Sequence, residues 1–498
     1  VNREDAKSAK KTTKEKSEIP FASFAPLRFK NGALATLLIA TLGLTAPGCK
    51  SAAPPPPREE VIEEALPETT EIPEEFRAAE DVDTGEVDDG WIKTFDDPEL
   101  VGLVDEALRN NLNLRIAATQ IDVAAAAAVQ AGARLKPTVD LALGASGSGT
   151  SSAGSGEGVV GLSTTWEIDV WGKLASGAAA AEASLAATQA NYEYGRQSLA
   201  AQTAKSWFLA SQTHMLLELA LETADLYEQT LDLVKTKHEV GQVTMQDVHL
   251  ASADLASSEE ALRQAIAGDQ QARRSLELLL GRYPGAEIEA RSELPPLPPP
   301  VPVGLPSGLL ERRPDLIAAE DNVAAAFYLT EQAEAAKLPS FALTGTVGAS
   351  SDVNDFIFDL GAGMVAPLFR GGALEAQVDA ADAQQRAAIA AYGQAVLKAF
   401  EEVEGALTNG KLYDEREEYL QQVLSENTAA WELAKTQYEV GKIDLLSVLQ
   451  MQARVVGARI ALVGIRNDRL INRVNLHLAL GGSFEETEGR RVVAVAEE

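Results

Sequence analysis

The chain alternates between two hydrophobic periods, and the alternation runs through twice. From Pro98 onward, apolar positions recur at helical spacing through Leu103, Ala107, Leu108, Leu112 and Leu114, into an alanine stretch ending near Arg134. Asp97 is a good N-cap type, and Pro98 suits a first helical turn. The period then drops to two. Val139, Leu141, Leu143 and Ala145 alternate with Thr138, Asp140, Ala142 and Gly144, the pattern of a strand with one apolar face. The Gly/Ser-rich tract from Gly144 to Gly158 reads as a flexible loop; it lacks the Gly-Lys-Ser/Thr ending of a phosphate loop. A second alternation sets Val160, Leu162, Thr164 and Trp166 against Gly161, Ser163, Thr165 and Glu167. After Trp171-Gly172-Lys173, roughly 70 residues without proline lead to Gly241, a helix of about 105 Å. A shorter arm, Thr244–Leu280, returns.

The whole pattern then starts again. Pro339 opens Phe341, Leu343, Gly345, Val347 and Ala349, and a loop leads to Phe358, Leu360, Ala362, Met364 and Ala366 opposite Asp359, Gly361 and Gly363. A second long run extends from Phe369-Arg370-Gly371-Gly372 to Gly441, with its return at Asp444–Leu480. The repeat is visible residue by residue: Lys235/Lys435, Thr236/Thr436, Glu239/Glu439, Val240/Val440 and Gly241/Gly441 stand 200 apart, and Pro137/Pro339 stand 202 apart. Gly at the C′ position followed by a Thr or Asp N-cap marks the tip of a tight helical hairpin. An internal duplication therefore covers strands and helices together. The expected segments are helices at 91–136, a β-hairpin at 137–168 and a long helical hairpin at 169–282. A Pro-rich linker follows at 283–306, then helices at 307–338, a β-hairpin at 339–368, a helical hairpin at 369–482 and an acidic tail at 483–498.

Each strand runs about ten residues, enough to cross a membrane at a tilt. Four strands cannot close a barrel, since the smallest has about eight, and an open edge in lipid leaves backbone groups unpaired. Several copies must share one barrel, and the arithmetic allows two, three or four. The return arms cover half of each long helix; residues 98–134 and 307–336 have about the right length to cover the rest.

Charge and the N-terminal segment add location. The net charge is −31, which opposes nucleic-acid binding. Basic residues between Lys7 and Lys30 precede a short apolar run, Ala33 to Leu44, so residues 1–48 read as a signal peptide. The chain's only cysteine, Cys49, follows Ala46-Pro47-Gly48 and looks like a bacterial lipoprotein site, with Ala46 where such sites usually carry Leu. Residues 49–90 read as a lipidated Cys and a disordered acidic linker, with prolines 54 to 57 and few apolar positions.

These stretches resemble the bacterial outer-membrane efflux proteins, the TolC-like outer membrane factors, most closely the lipoprotein branch serving resistance-nodulation-division pumps (NodT-like). The resemblance is carried by Trp91 through Leu100, Glu106-Ala107-Leu108 and Trp166 through Lys173. It continues in Gly304 through Leu316, Phe369-Arg370-Gly371-Gly372, Phe400 through Leu407 and Tyr438-Glu439-Val440-Gly441. It implies a mainly α fold with a membrane β part: four strands given to a shared, trimeric 12-stranded β-barrel, continued by a long periplasmic α-helical barrel. It implies a homotrimer whose partners are a periplasmic adaptor protein, an inner-membrane pump and outer-membrane lipid, with no cofactor beyond the lipid on Cys49.

The same resemblance places adaptor contacts on Val240, Gly241, Thr244, Val440, Gly441 and Asp444, and a periplasmic gate around Asp247, Asp444 and Ser447. Ser447 stands where the family usually has Asp. Asp444 reads equally well as a gate carboxylate and as a plain helix cap. Trp166, Trp171 and Phe369 fall where strand passes to helix, as membrane-interface aromatics do; core packing is the alternative. Arg312-Arg313-Pro314-Asp315 restarts a helix and reads as structural. The four histidines are scattered without metal-ligand spacing, and neither a metal site nor an enzyme is expected. Two other functions fit the same pattern: a channel for protein secretion, and a non-conducting coiled-coil lipoprotein.

Overall fold

In the computed structural model the described residues are 51–67, 69–79, 85, 87, 89–150, 153–350 and 355–485. Both the expected signal peptide and Cys49 lie outside them. Nine α-helices and four strands are described: α1 (Arg58–Ala65), α2 (Pro98–Asn110), α3 (Leu112–Ala133), β1 (Thr138–Thr150), β2 (Ala153–Ile168), α4 (Lys173–Glu239) and α5 (Met245–Leu279). The second half continues with α6 (Pro306–Arg312), α7 (Pro314–Ala335), β3 (Ser340–Ser350), β4 (Asp355–Val365), α8 (Ala373–Glu439) and α9 (Leu445–Ala479).

The duplication is exact in length where it matters. α4 and α8 each have 67 residues, α5 and α9 have 35, and α3 and α7 have 22. At 1.5 Å per residue the long helices reach about 100 Å. Each long helix opens after a glycine with φ of 82°, Gly172 or Gly372, a left-handed backbone that a Cβ would penalise. Each hairpin arm ends in the same Schellman closure. In the first tip Gly241 N–H donates to the His238 carbonyl and Gln242 N–H to that of Lys237; in the second, Gly441 donates to Tyr438 and Lys442 to Gln437.

The strands form one antiparallel sheet in the order β1-β2-β3-β4. Val139 pairs with Thr164 in the first hairpin and Phe341 with Met364 in the second, the same register once shifts of 202 and 200 are applied. The Gly/Ser tract is not the flexible loop its composition suggests. β1 runs to Thr150 and β2 starts at Ala153, with the ladder unbroken from Thr138↔Thr165 to Thr150↔Ala153. Glycine weakens intrinsic strand preference, but the continuous antiparallel ladder between β1 and β2 overrides it.

The segment expected as a disordered linker is also structured in part. α1 lies on α8 with Val61 buried among Leu316, Tyr392 and Val396, and Arg58 donates to Glu320 at 2.8 Å. Gly393 makes this contact possible, because a Cβ there would stand 2.4 Å from the Ala65 carbonyl oxygen. Further on, Phe76 is buried with Val303 and Val403, and the Arg77 and Ala78 N–H groups donate to the Glu404 carboxylate at 2.8 and 2.9 Å. The few apolar residues that composition discounts, Val61 and Phe76, are the ones that anchor the segment. At the other end, Phe484 of the expected acidic tail is buried in the core, and Ser483 accepts from Gly90 N–H.

The largest buried cluster among the described residues lies midway along the long helices. Trp207, Phe208, Phe95, Leu100 and Leu276 share one core, in which buried Asp97 caps α2 and accepts from Trp207 Nε1 at 2.9 Å. Arg313, 2% exposed, ties the start of α7 to α8 and α9: it pairs with Asp315 and Glu402 at 2.8 Å and donates to the Ala479 carbonyl at 3.2 Å. The first repeat fills the equivalent slot with Asn111, whose Nδ2 donates to the Leu279 carbonyl at 2.9 Å.

Candidate functional site

Three surfaces carry the sequence-derived site residues: the hairpin tips, the sheet faces, and the flanks of the short helices. At the tips, Val240 and Val440 are exposed (67% and 64%), and nothing lies within 4 Å of a Cβ built on Gly241 or Gly441. These glycines serve backbone conformation, with φ of 73° and 75°, rather than close approach. Thr244 forms a capping box with Asp247: Thr244 N–H and Oγ1 both donate to Oδ2 of Asp247 at 2.8 Å, and Asp247 N–H returns to Oγ1. Asp444 accepts from Ser447 N–H at 2.9 Å and from its hydroxyl at 2.6 Å, and those bonds hold its carboxyl below the usual range. So Asp247, Asp444 and Ser447 are all engaged in caps. Asp444 and Ser447 make these bonds at the exposed turn.

Beneath the tips the two hairpins share one apolar cluster, with Leu231, Val234, Ala251, Ala434, Tyr438 and Leu449 buried together. Lys237 Nζ stands 3.9 Å from the centroid of the Tyr438 ring. The two repeat copies therefore end side by side, which places all six predicted tip residues on one end of the molecule.

One sheet face is apolar and uncovered: Val139, Leu141, Leu143, Val160, Leu162, Leu343, Val347, Phe358, Leu360 and Met364 are exposed. The other face carries Asp140, Glu167 and Asp359 among Gly, Ser and Thr. A soluble sheet would bury that apolar face; among the described residues no helix packs on it, and strands of 11 residues are long enough to cross lipid. The three aromatics expected at the membrane interface stand at the strand ends. Trp166 Nε1 donates to the Leu135 carbonyl at 3.0 Å, Trp171 Nε1 to that of Pro339 at 2.7 Å, and Phe369 is 89% exposed beside Leu368. Two of them thus hold the strand-to-helix passage by an indole hydrogen bond.

The short helices give a signal that sequence reading missed. α7 packs extensively on both long helices, α4 and α8. Its repeat mate α3 packs extensively on α4 alone, leaving Leu112, Ile116, Val123 and Val129 between 59% and 72% exposed. Among the described residues α3 is long and apolar enough to pass for a membrane span, yet it lies along a charged helix rather than apart from the body. No three His, Cys, Asp or Glu converge to hold a metal among the described residues.

Comparison with known proteins follows the same outline. The family described as outer membrane efflux protein matches twice, over residues 103–282 and 305–482, one match per repeat. The pyoverdine export outer membrane protein OpmQ of Pseudomonas aeruginosa is 32% identical over 414 residues, covering 79% of this chain and 87% of OpmQ. The solved outer-membrane channel OprN superposes with a TM-score of 0.77 at 25% identity, covering 84% of this chain and 99% of that one. CusC, whose structures are described with transmembrane channel formation, gives 0.76 at 25% identity over 84% of this chain and 98% of its own. With the fold, the duplication and the sequence all agreeing, the chain belongs to the outer membrane efflux protein family.

Proposed function

We propose that three copies of this chain close into one channel, a 12-stranded barrel in the outer membrane continued by a periplasmic tunnel of helices. In this reading the channel passively carries the cargo of a tripartite efflux system to the exterior. The observation that carries the reading is the unequal packing of the repeat mates. α7 fills the groove between α4 and α8, so the duplication calls for a second long helix beside α3, and the α8 of another copy is the equivalent element. Unpaired edges on β1 and β4 make the same demand in the sheet, because β2 and β3 already join the two repeats. The repeat also sets the register: Thr164↔Gly345 within the chain maps onto Met364↔Leu143 of the neighbouring copy. That pairing keeps all apolar side chains on one face, whereas a one-residue slip would turn every one of them inward.

The tips then form the end that meets a periplasmic adaptor, with Val240 and Val440 presented outward, and the acidic caps at Asp247 and Asp444 ring the entrance. Acylation of Cys49 would tether the chain at the membrane surface, and the strap through α1 would run from there along α8. Energy comes from the inner-membrane pump, since the channel offers only a path. The test is native mass spectrometry of detergent-extracted protein together with planar-bilayer recording. Trimers giving discrete channels are expected; monomers, or trimers without conductance, would leave only a bridging lipoprotein.

A further inference from the structure

A cavity of about 250 Å³ lies at the foot of the sheet, where β2 and β3 hand over to the helices of the two repeats. Its charged groups are balanced. Glu167 pairs with Lys173, and Asp169, 6% exposed, accepts from the Ala175 N–H at 2.7 Å; Arg370 borders the same space. The duplication repeats this junction where β4 of one copy meets β1 of the next, and the shifts of 200 and 202 give the residues that line it. Pro367 takes the place of Glu167 and Phe369 that of Asp169, so both acids are lost. Arg370 takes the place of Val170, while Arg134 and Lys136 of the next copy replace Ala336 and Leu338. The one carboxylate brought in is Glu167 of the next copy, in the position that Pro367 has within the chain, and Lys173 already pairs with it.

Three cations thus meet at each boundary between copies without a free counter-charge. All three are exposed, and none makes an ion pair or a side-chain hydrogen bond among the described residues. Like charges gathered at an interface are unfavourable unless an anion joins them. Their place says which anion. Leu368 and Phe369, 95% and 89% exposed, follow on β4 and carry the apolar surface of the sheet down to Arg370. On the other side Trp166, which belongs to the apolar face by alternation, donates to the Leu135 carbonyl between Arg134 and Lys136. Both sides of the boundary therefore join apolar surface to positive charge where the strands end, as a lipid headgroup site requires.

We propose that each boundary between copies binds an anionic phospholipid of the periplasmic leaflet. Arg370 of one copy and Arg134 and Lys136 of the next hold its phosphate, and its acyl chains lie along Leu368 and Phe369. The lipid acts as the missing counter-ion and joins neighbouring copies. The inference rests on the shared barrel proposed above, since a single chain holds only one side of each site.

The test is native mass spectrometry of the full-length protein extracted in detergent, after addition of phosphatidylglycerol, phosphatidylcholine or inorganic phosphate. Trimers should retain up to about three phosphatidylglycerol molecules, one per boundary, and hold them at least about tenfold more tightly than phosphatidylcholine. Phosphate should not displace them. Arg134→Gln, Lys136→Gln and Arg370→Gln combined should abolish the preference, whereas Lys337→Gln, within the chain's own junction, should keep it. Arg370→Gln alone should weaken it in the same direction, and this variant decides if the triple one does not assemble. Wild-type trimers that hold both lipids equally, a preference that survives loss of the cations, or displacement by phosphate would each overturn the inference alone. Monomers throughout would overturn the shared barrel and the inference with it.

Discussion

Replacing Arg313 by methionine tests the link that holds the two halves together. The side chain is 2% exposed and makes four polar contacts: two to Asp315, one to Glu402 and one to the Ala479 carbonyl. Burial works against its charge, but the pairs with Asp315 and Glu402 outweigh it, so the guanidinium is held above its ordinary pKa. Methionine keeps the aliphatic stem and removes every donor. Breaking a buried pair by removing one partner costs about 3–5 kcal/mol. Asp315 and Glu402 keep 24% and 34% of their side-chain surface and can regain water, so the lower end, about 3 kcal/mol, is expected here. Arg313→Lys retains charge without the planar fork and should cost about half as much. The assay is urea unfolding followed by helical circular dichroism, for the single variants and for each combined with Glu402→Gln. The double variant should be clearly less destabilised than the two singles added, because both remove the same contact. A midpoint for Arg313→Met equal to wild type, or full additivity with Glu402→Gln, would refute the reasoning.

Three further outcomes follow from particular contacts. His477 is buried, stacked on Trp91 at 5.5 Å, and pushed down to about 3 by burial and by Arg473. Its folded value lies below the unfolded one near 6.5, so stability present above pH 6.5 is lost as pH falls from there toward 3, at up to about 1.4 kcal/mol per pH unit. His477→Phe should keep the stack and flatten that slope in urea midpoints taken between pH 7 and 4; an unchanged slope would point to another group. Gly393→Val should lift α1 off α8, since even a Cβ meets the Ala65 carbonyl, and trypsin should then cut at Arg58 and Arg77 several-fold faster. Asp444→Ala should raise single-channel conductance or relieve block by cations; unaltered currents would leave Asp444 as a cap only.

Much of this architecture was legible in the order of residues. The matched Val-Gly tips, the two proline-opened strand pairs and the long proline-free runs gave the duplicated helical hairpins and the sheet nearly to the residue. Their signals are local: a left-handed glycine, a fixed φ at proline and a change of period from 3.6 to two each act within a few residues. What escaped was set by distant partners. The Gly/Ser tract looks like a loop because glycine carries no side chain to show alternation, yet its ladder partner determines its structure. The strap through Val61 and Phe76 has too few apolar residues to suggest order, and it is ordered by a groove that α7 and α8 supply. The motif around Arg313 reads as structural, but its bond to the Ala479 carbonyl, 166 positions away, has no sequence signature. Asp444 is the opposite case: its cap partner, Ser447, is three residues away, so the cap is legible in the sequence as one of two roles, and the geometry shows it formed.

Cysteine pairing across the two open strand edges tests the shared barrel most directly. With Leu143→Cys and Met364→Cys in one chain, mild oxidation of outer membranes should link copies into a closed covalent trimer, since the repeat register sets these positions opposite one another. Val139→Cys with Met364→Cys, displaced by four residues along the edge, should stay largely unlinked. Efficient linking of the displaced pair and not of the aligned one would contradict the register; no linking between copies by either pair would contradict the shared barrel itself.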